Sequence, residues 1–396
     1  MRKIKIAYLT GDDPRDKRSW SGSTYYIGKA LQRHVGEVDF LGPIKVPFWL
    51  DRCFRGIAKA VRTVFRTEYF AQYSILLSLY YASVLKRKMA GKNYDVICAP
   101  ASAVELAYMK TAVPIIYITD TTFQLISHYY LKDFLKISRF SRWEGNLLER
   151  RSLRKSQLAV FSSEWAATSA IQDYKTNARK VTVIPPGANM DNIPGQTEVN
   201  RKFANPRLTV LFLAVEWARK GGNLAFQALN ELRQVHGEDA RLIVCGCIPP
   251  EGIEHPDMVV IPFLDKNIEA DRIRFAEVLS TVHFLLIPTR ADASLLVACE
   301  ANAYGVPAIT TETGGIPDIV QDGVNGYCLP YHADGRLYAL LISELFKDQE
   351  RYEQLVQSSR MRYEELLNWD SWAESFQEAA AAALPGLEMN GSPLNN

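Results

Sequence analysis

The chain has 396 residues, 47% of them apolar, and its 46 Lys and Arg nearly balance its 44 Asp and Glu. This length is large for one hydrophobic core and suits two domains, and no apolar run reaches the roughly 18 to 20 residues of a membrane span. The charge is unevenly divided: residues 1–195 hold 30 Lys+Arg and 16 Asp+Glu, whereas residues 196–396 hold 16 and 28. A basic half of net charge +14 can attract a lipid diphosphate, a membrane surface or nucleic acid.

The first predicted element is a buried strand over Ile4 to Thr10. It follows Met1-Arg2-Lys3 with no apolar signal region, so we expect a cytoplasmic protein. Only Gly11 and Gly22, eleven residues apart, occur in the loop that follows, whereas a dinucleotide fingerprint needs three spaced glycines. A nicotinamide cofactor is therefore disfavoured. The turn at Gly22 opens a predicted helix over 24–34 and can contact a phosphate.

Residues 47–92 form a basic insert rich in aromatic residues. Cations recur within it at steps of three and four, which places them on one helical face: Arg52, Arg55, Lys59, Arg62 and Arg66. A basic, aromatic, amphipathic helix is typical of interfacial membrane binding and would suit a lipid-linked acceptor. The alternative is a helical hairpin that packs on the sheet and keeps its basic face in solvent.

Further strands are predicted over 94–99 and 114–119. Asp120 directly follows the second of them, at the sheet edge where α/β enzymes place working groups. The remainder of this half predicts a helix over 139–156 and strands over 158–162 and 181–185. The Gly, Pro, Asn and Gln residues that follow indicate a linker.

The second half restarts with a strand over 208–215, followed by Arg219, Lys220 and two glycines. Two cations beside a turn can neutralise the charge that grows on a departing diphosphate. The alternative is a solvated pair beside a turn. Another strand, over 241–247, carries Gly246 near its end.

The most informative stretch runs over 282–330 and reads as strand, helix, strand, Gly-rich turn and helix. Two parallel strands, each followed by a helix N-terminus, present free N–H groups to an anion. Asp292 and Glu300 flank this site, and carboxylates beside a phosphate commonly bind sugar hydroxyls. The alternative is that Asp292, or Ser294, only caps the helix and that Glu300 lies on its solvated face.

This stretch resembles the donor-site signature of the retaining glycosyltransferases of the GT-B fold, family 4 (glycosyl transferases group 1). In that signature, two acidic residues separated by seven others precede a small-residue helix, a Gly-x-Pro turn and a GG-I-P-acid loop. Here Glu300 is the second acid, the turn is 305–307, and the loop includes Gly314 and Gly315.

Three positions depart from the family pattern. The first acid is Asp292 where the family usually has Glu, and Ser294-Leu295 replaces an aromatic-glycine pair. The family has an Arg several residues before its Lys-Gly pair, and this chain has Val215 and Glu216 there. Lys220 therefore matches the family's Lys, whereas Arg219 does not lie at the position of the family's Arg.

The resemblance implies an α/β architecture of the GT-B type, with two doubly wound Rossmann-like domains facing a central cleft. The expected division is an acceptor-binding domain over 1–190 that includes the insert 47–92, a linker over 191–206, a nucleotide-sugar-binding domain over 207–368, a helix over 369–385 that crosses back to the first domain, and a flexible tail over 386–396.

The resemblance also implies roles. Lys220 and Arg219 would stabilise the departing diphosphate, Asp292 would hold the donor sugar, and Asp120 would contact donor or acceptor sugar. The donor-binding residues would be Glu300, on the ribose hydroxyls, together with Gly22, Ser294, Leu295, Gly246, Gly314 and Gly315.

The expected reaction moves a hexosyl group, with retention, from a nucleotide-diphosphate sugar to a glycan or lipid-linked acceptor in the synthesis of cell-surface polysaccharide or glycoconjugate. No Asp-x-Asp motif lies near the expected diphosphate site, so we expect catalysis without a metal ion. We also expect no other cofactor and no nucleic-acid partner. The insert 47–92 could add peripheral contact with an anionic membrane, at the inner face of the plasma membrane. Two alternatives stay open: a nucleotide-sugar epimerase of the same fold, and a non-catalytic protein that binds a nucleotide sugar or an anionic surface.

Overall fold

The computed structural model describes residues 3–130, 136–236 and 239–386. The chain forms two compact units: one contains residues up to Ile184 together with those from Trp372 onward, and the other is Pro185–Ser371. Of the expected tail, 386–396, all but residue 386 lies outside the described residues. No helix in the described part of the chain is long and apolar enough to cross a membrane.

A parallel sheet forms the centre of the first unit. Its six strands, in the described residues, have the order β2-β1-β3-β4-β5-β6. The strands are β1 Ile4–Tyr8, β2 Gly36–Phe40, β3 Val96–Pro100, β4 Ile115–Thr119, β5 Leu158–Phe161 and β6 Val181–Val183. The helices are α1 Ser23–Ala30, α2 Phe48–Phe65, α3 Ile75–Met89, α4 Ala103–Ala107, α5 Phe123–Leu125, α6 Arg139–Lys155 and α7 Glu164–Gln172.

A second parallel sheet forms the centre of the other unit, with the order β12-β11-β10-β7-β8-β9 in the described residues. Its strands are β7 Leu208–Leu213, β8 Ala240–Cys245, β9 Met258–Ile261, β10 Phe284–Ile287, β11 Ala308–Thr311 and β12 Gly326–Leu329. The helices are α8 Gln196–Asn200, α9 Gly222–His236, α10 Glu269–Thr281, α11 Leu296–Ala303, α12 Gly335–Lys347, α13 Gln349–Glu365 and α14 Trp369–Ala383, whose later residues group with the first unit.

The predicted α/β class is confirmed. Strands such as β3, β4 and β7 are buried along their whole length, as parallel strands covered by helices on both faces must be. Sequence signals also set several helix ends: the Ser74, Ser138 and Ser163 side chains accept the backbone N–H groups that begin α3, α6 and α7.

The segment predicted as a linker, 191–206, is more structured than its composition indicates. It contains α8 and a single 3₁₀ turn, Arg201–Ala204, and both belong to the second unit. Lys202 in this turn is fully buried, and its ammonium group donates to the backbone carbonyls of Val199 and Tyr304. Burial lowers the pKa of Lys202 to about 7.

Lys202 should make stability depend on pH. Its pKa in the folded chain, about 7, lies below the ordinary value of 10.5, so between these values the unfolded chain binds more protons and the free energy of unfolding rises with pH. We therefore expect the difference in unfolding free energy, wild type minus Lys202→Met, to increase by up to about 2 kcal/mol from about pH 7 to about pH 9. Urea unfolding at the two pH values measures it, and a difference independent of pH would contradict the assignment.

Candidate functional site

Two loops meet at the carboxyl edge of the second sheet because the strands before them, β7 and β10, are parallel neighbours. The loop after β7 carries Arg219 and Lys220, and the loop after β10 carries Asp292. Gly221 makes their contact possible: its φ is +81°, and a Cβ there would overlap the Pro288 carbonyl. Only glycine satisfies both conditions, so this residue fixes how closely the loops approach.

The cations of the first loop are held by the second. Lys220 Nζ pairs with Asp292 Oδ2, and both side chains are largely buried. Arg219 Nη1 donates to the Ala291 carbonyl at 2.8 Å, while its Nη2 lies 2.7 Å from a carboxyl oxygen of Glu216. The hydrogen bond from Arg219 lowers the pKa of Glu216. The structure thus brings Arg219, Lys220 and Asp292 together, as the sequence predicted.

The alternative in which Asp292 or Ser294 only caps the helix is wrong. Helix α11 begins at Leu296 with Leu295 at the cap position, and the Asp292 carboxylate instead pairs with Lys220. The helix predicted after Gly315 is a single 3₁₀ turn, Ile316–Asp318. The expected anion site therefore has one helix N-terminus rather than two, and side-chain cations supply more of its positive charge.

The glycine loops border the same edge. The Gly315 N–H donates to the Asp292 carbonyl at 3.3 Å, and Gly314 has a φ of +57°. Gly246 directly follows β8 with a φ of +101°, and a Cβ there would lie 2.7 Å from the Ala214 carbonyl. The Leu295 side chain is fully buried in the core, so only its backbone could contact a ligand. Ser294 is half-buried.

Glu300 does not lie on a solvated face. It is buried on α11, where its Oε1 lies 2.5 Å from Lys266 Nζ, and Lys266 also donates to the Asn189 carbonyl at 3.2 Å. The Lys266 ammonium lies 4.5 Å from the centre of the Phe275 ring. Burial raises the pKa of Glu300, and Lys266 opposes that shift.

Sequence analysis did not single out Lys266. The signal was available, since Lys266 follows β9 as Lys220 follows β7, each in a loop at the carboxyl edge. What the sequence lacks is any sign that α11 turns Glu300 toward this loop. Two buried acid–cation pairs, Lys220 with Asp292 and Lys266 with Glu300, thus lie along one sheet edge.

Two expected site residues, Gly22 and Asp120, belong to the first unit. Gly22 has a φ of +96° and precedes α1, and Trp20 and Ser21 before it also have positive φ. Trp20 Nε1 donates to Asp120 Oδ2 at 3.1 Å, so the structure brings Asp120 to the loop that ends at Gly22. Strained backbone is common at functional sites, and the role expected of this loop stays a prediction.

Two buried carboxyls of the first unit were also missed. Burial raises the pKa of Glu105, beside Gly11 and Asp12, to about 7, and that of Glu149, which accepts a bond from Tyr117, to about 8. Glu105 is the one acid of the short apolar helix α4, and Glu149 is one of many charged residues on α6, so sequence alone gives no reason to single out either. Among residues 3–130, 136–236 and 239–386, no three His, Cys, Asp or Glu side chains cluster to hold a metal ion.

Comparison with known proteins agrees with this architecture. The family model "Glycosyltransferase Family 4" matches residues 22–192, and the model "Glycosyl transferases group 1" matches residues 207–348. A D-inositol 3-phosphate glycosyltransferase of Xylanimonas cellulosilytica is 27% identical over 259 residues, which is 60% of this chain and 58% of that protein. The chain thus spans less than two thirds of this relative's length.

Solved structures share the fold at low identity. HepE (Alr3699) of Anabaena, in complex with UDP and glucose, superposes with a TM-score of 0.64 at 15% identity, covering 96% of this chain and 100% of that one. WaaG, a glycosyltransferase involved in lipopolysaccharide biosynthesis, gives 0.63 at 14% identity, covering 96% and 99%. These likenesses confirm a GT-B fold. With both family models matched, the chain belongs to the family 4, group 1 glycosyltransferases.

The pairing of Lys266 with Glu300 can be tested through stability. Lys266→Met leaves a buried carboxylate without its cation, which should lower the free energy of unfolding by about 3 to 5 kcal/mol at neutral pH. Because the pKa of Glu300 then rises further, the loss should shrink as the pH falls and the carboxyl protonates. Denaturant unfolding at neutral and acid pH measures both effects.

The matched control is the double variant Lys266→Met/Glu300→Gln, which removes both charges and should recover most of the lost stability. A double variant as unstable as Lys266→Met alone would show that the loss comes from packing against Phe275 rather than from the ion pair.

Proposed function

We propose that the chain transfers a hexosyl group from a nucleotide-diphosphate sugar to a glycan or lipid-linked acceptor, with retention of anomeric configuration and without a metal ion. The observation that carries this proposal is the cationic edge of the second unit, where Lys220 and Arg219 lie beside Asp292. Cations fixed before the substrate arrives stabilise developing negative charge more effectively than groups that must reorganise.

The chemistry follows from the pairing of Lys220 with Asp292. A bound diphosphate carries more charge than one carboxylate and competes for the Lys220 ammonium. Asp292 is then released to accept hydrogen bonds from hydroxyls of the donor sugar. As the bond between the anomeric carbon and the diphosphate oxygen breaks, Lys220 and Arg219 stabilise the departing diphosphate. The acceptor oxygen bonds to the anomeric carbon on the same face, and the acceptor hydroxyl gives its proton to the departing diphosphate oxygen.

Glu300 would accept the ribose hydroxyls of the nucleotide. Lys266 opposes the rise in the pKa of Glu300 that burial causes, so that the Glu300 carboxylate remains an acceptor of hydrogen bonds. Gly314, Gly315 and Gly246 would contact the donor through backbone groups. In the first unit, Asp120 and the loop at Gly22 would contact acceptor or donor sugar.

The relatives support a choice of substrates for testing. The complex of HepE with UDP and glucose favours a UDP-sugar as the first donor to try. The names of the inositol-phosphate and lipopolysaccharide enzymes favour anionic or lipid-linked acceptors. Such acceptors suit the basic first half of the chain, and peripheral contact with an anionic membrane through 47–92 belongs to the same proposal. The proposed setting is cytoplasmic synthesis of cell-surface polysaccharide or glycoconjugate.

The proposal is tested by release of nucleoside diphosphate from UDP-, GDP- and ADP-sugars, each with EDTA and with or without an extract of lipid-linked acceptors. Release from one donor that is undiminished by EDTA and increased by the extract is the expected result. An epimerase would instead convert the nucleotide sugar without acceptor. No release, with no thermal stabilisation by any nucleotide, would support a non-catalytic surface-binding protein.

Site variants sharpen this test. Lys220→Met removes a cation from the departing diphosphate and should lower kcat/KM about 100- to 1000-fold. Glu300→Gln and Asp292→Asn should each lower kcat/KM at least about tenfold, because each loses a charged acceptor of a sugar hydroxyl. Glu353→Gln, an exposed change on α13, is the matched control and should leave turnover unchanged. Equal activity of Glu300→Gln and Glu353→Gln would contradict the proposed site.

A further inference from the structure

Helix α2 exposes apolar side chains at both ends. Phe48 and Trp49 begin it with 70% and 63% of their surface exposed, and Val64 and Phe65 end it at 68% each. Leu50 and Phe54 on its other side are buried and attach the helix to the core. Large apolar side chains this exposed at both ends of one helix indicate a surface that contacts something apolar.

Cations occupy the outer face between these ends. The basic residues on this face are Arg52, Arg55, Lys59, Arg62 and Arg66. The helix itself contains one acidic residue, Asp51. Arg55 pairs with Asp51 and Arg62 with Glu68, both in exposed positions where such pairs are weak. The face therefore remains basic and complements an anionic surface.

This surface continues onto α6. After α2, the chain pairs with the segment before α6: the Glu68 N–H donates to the Lys136 carbonyl, and the Ser138 N–H donates to the Glu68 carbonyl. The Tyr69 ring then stacks on Phe140, and Phe140 on Trp143, with centroids 6.3 and 5.8 Å apart. Phe140 and Trp143 are each 54% exposed, so the apolar strip extends from α2 to the first turns of α6.

A cavity of about 400 Å³ opens beside Trp143. Its lining includes Arg142, Asn146 and Arg150, one turn apart on α6, with Gln124 from α5 and Asp173 after α7. Arg142 is held in place by its Nε and Nη2, which donate to the Ile137 carbonyl. The guanidinium groups of Arg142 and Arg150 outnumber the single carboxylate, that of Asp173, so the recess carries a net positive charge that suits a phosphate group.

We propose that α2 and the first turns of α6 form one docking surface for an anionic lipid bilayer, with a lipid headgroup phosphate entering the cavity beside Trp143. This inference rests on the proposed function, because a lipid-linked acceptor must be reached at a membrane. It extends the membrane contact beyond 47–92 to a second, cavity-bearing helix.

The pattern favours a bilayer over other anionic partners. An 18-residue helix is about 27 Å long, and aromatic side chains at both ends with cations between them suit a helix that lies in the plane of the interface. Nucleic acid would use the cations and leave the exposed aliphatic Val64 in water. A bilayer accepts both the charge and the apolar side chains.

Co-sedimentation tests the inference, using the full chain with phosphatidylcholine vesicles that contain or lack phosphatidylglycerol. We expect binding only to the anionic vesicles and loss of that binding at high salt. Trp49→Ser/Phe65→Ser should weaken partitioning at least about tenfold, and Arg52→Gln/Lys59→Gln by roughly 30-fold. Leu337→Ser/Leu340→Ser, exposed leucines on α12, is the matched control and should bind as the wild type does.

The cavity has its own variant, Arg142→Gln/Arg150→Gln, which should weaken anionic-vesicle binding about tenfold. Soluble glycerol phosphate distinguishes the source of the phosphate: thermal stabilisation by it, without vesicle binding, would assign the cavity to a free phosphate and overturn the bilayer. Equal vesicle binding by the Trp49/Phe65 variant and its control would also overturn it.

The two proposals fail separately. Thermal stabilisation by a nucleotide sugar together with no vesicle binding would contradict the docking surface alone, because none of the proposed donor contacts lies on α2 or α6. If neither stabilisation by a nucleotide sugar nor vesicle binding were observed, the proposed function would be contradicted as well.

Discussion

The second unit depends on the contact between the loops that follow β7 and β10. Gly221 permits this contact, and the pairing of Lys220 with Asp292 closes it. Two oppositely charged groups can remain largely buried here because each neutralises the other, whereas either one alone would be costly to desolvate. The same pairing aligns two cations and a carboxylate at the edge where parallel strands leave room for a ligand.

The site is therefore charged but internally neutralised in the absence of a donor. Lys220 with Asp292, and Lys266 with Glu300, form two such pairs along one edge. Under the proposed function, an incoming diphosphate would exchange one anionic partner of Lys220 for another, so little new desolvation would be needed. The proposed exchange gives a physical reason for carboxylates beside a phosphate site: they would hold the cations in place until the substrate replaces them, and would then accept hydrogen bonds from its hydroxyls.

The sequence predicted the elements of the site better than their partners. The strand, helix and strand predicted in order over 282–330 follow from local patterns, and the structure has them as β10, α11 and β11. The alternative in which Asp292 or Ser294 only caps α11 is wrong, and the Asp292 carboxylate instead pairs with Lys220, 72 positions away in the sequence, a contact that local patterns do not predict. Lys266 was missed for the same reason. The linker composition of 191–206 concealed α8 and the buried Lys202, since polar residues and glycines do not reveal which core they lie against.

The central claim is that Lys220 is shared between Asp292 and the diphosphate of the donor. Calorimetric titration of UDP, GDP and ADP into the wild type, Lys220→Met and Asp292→Asn tests it directly. The account predicts that Lys220→Met weakens the preferred nucleotide about tenfold or more, whereas Asp292→Asn binds it at least as tightly as the wild type, because a competing anion has been removed. Unchanged affinity in Lys220→Met, or clear weakening in Asp292→Asn, would contradict the account.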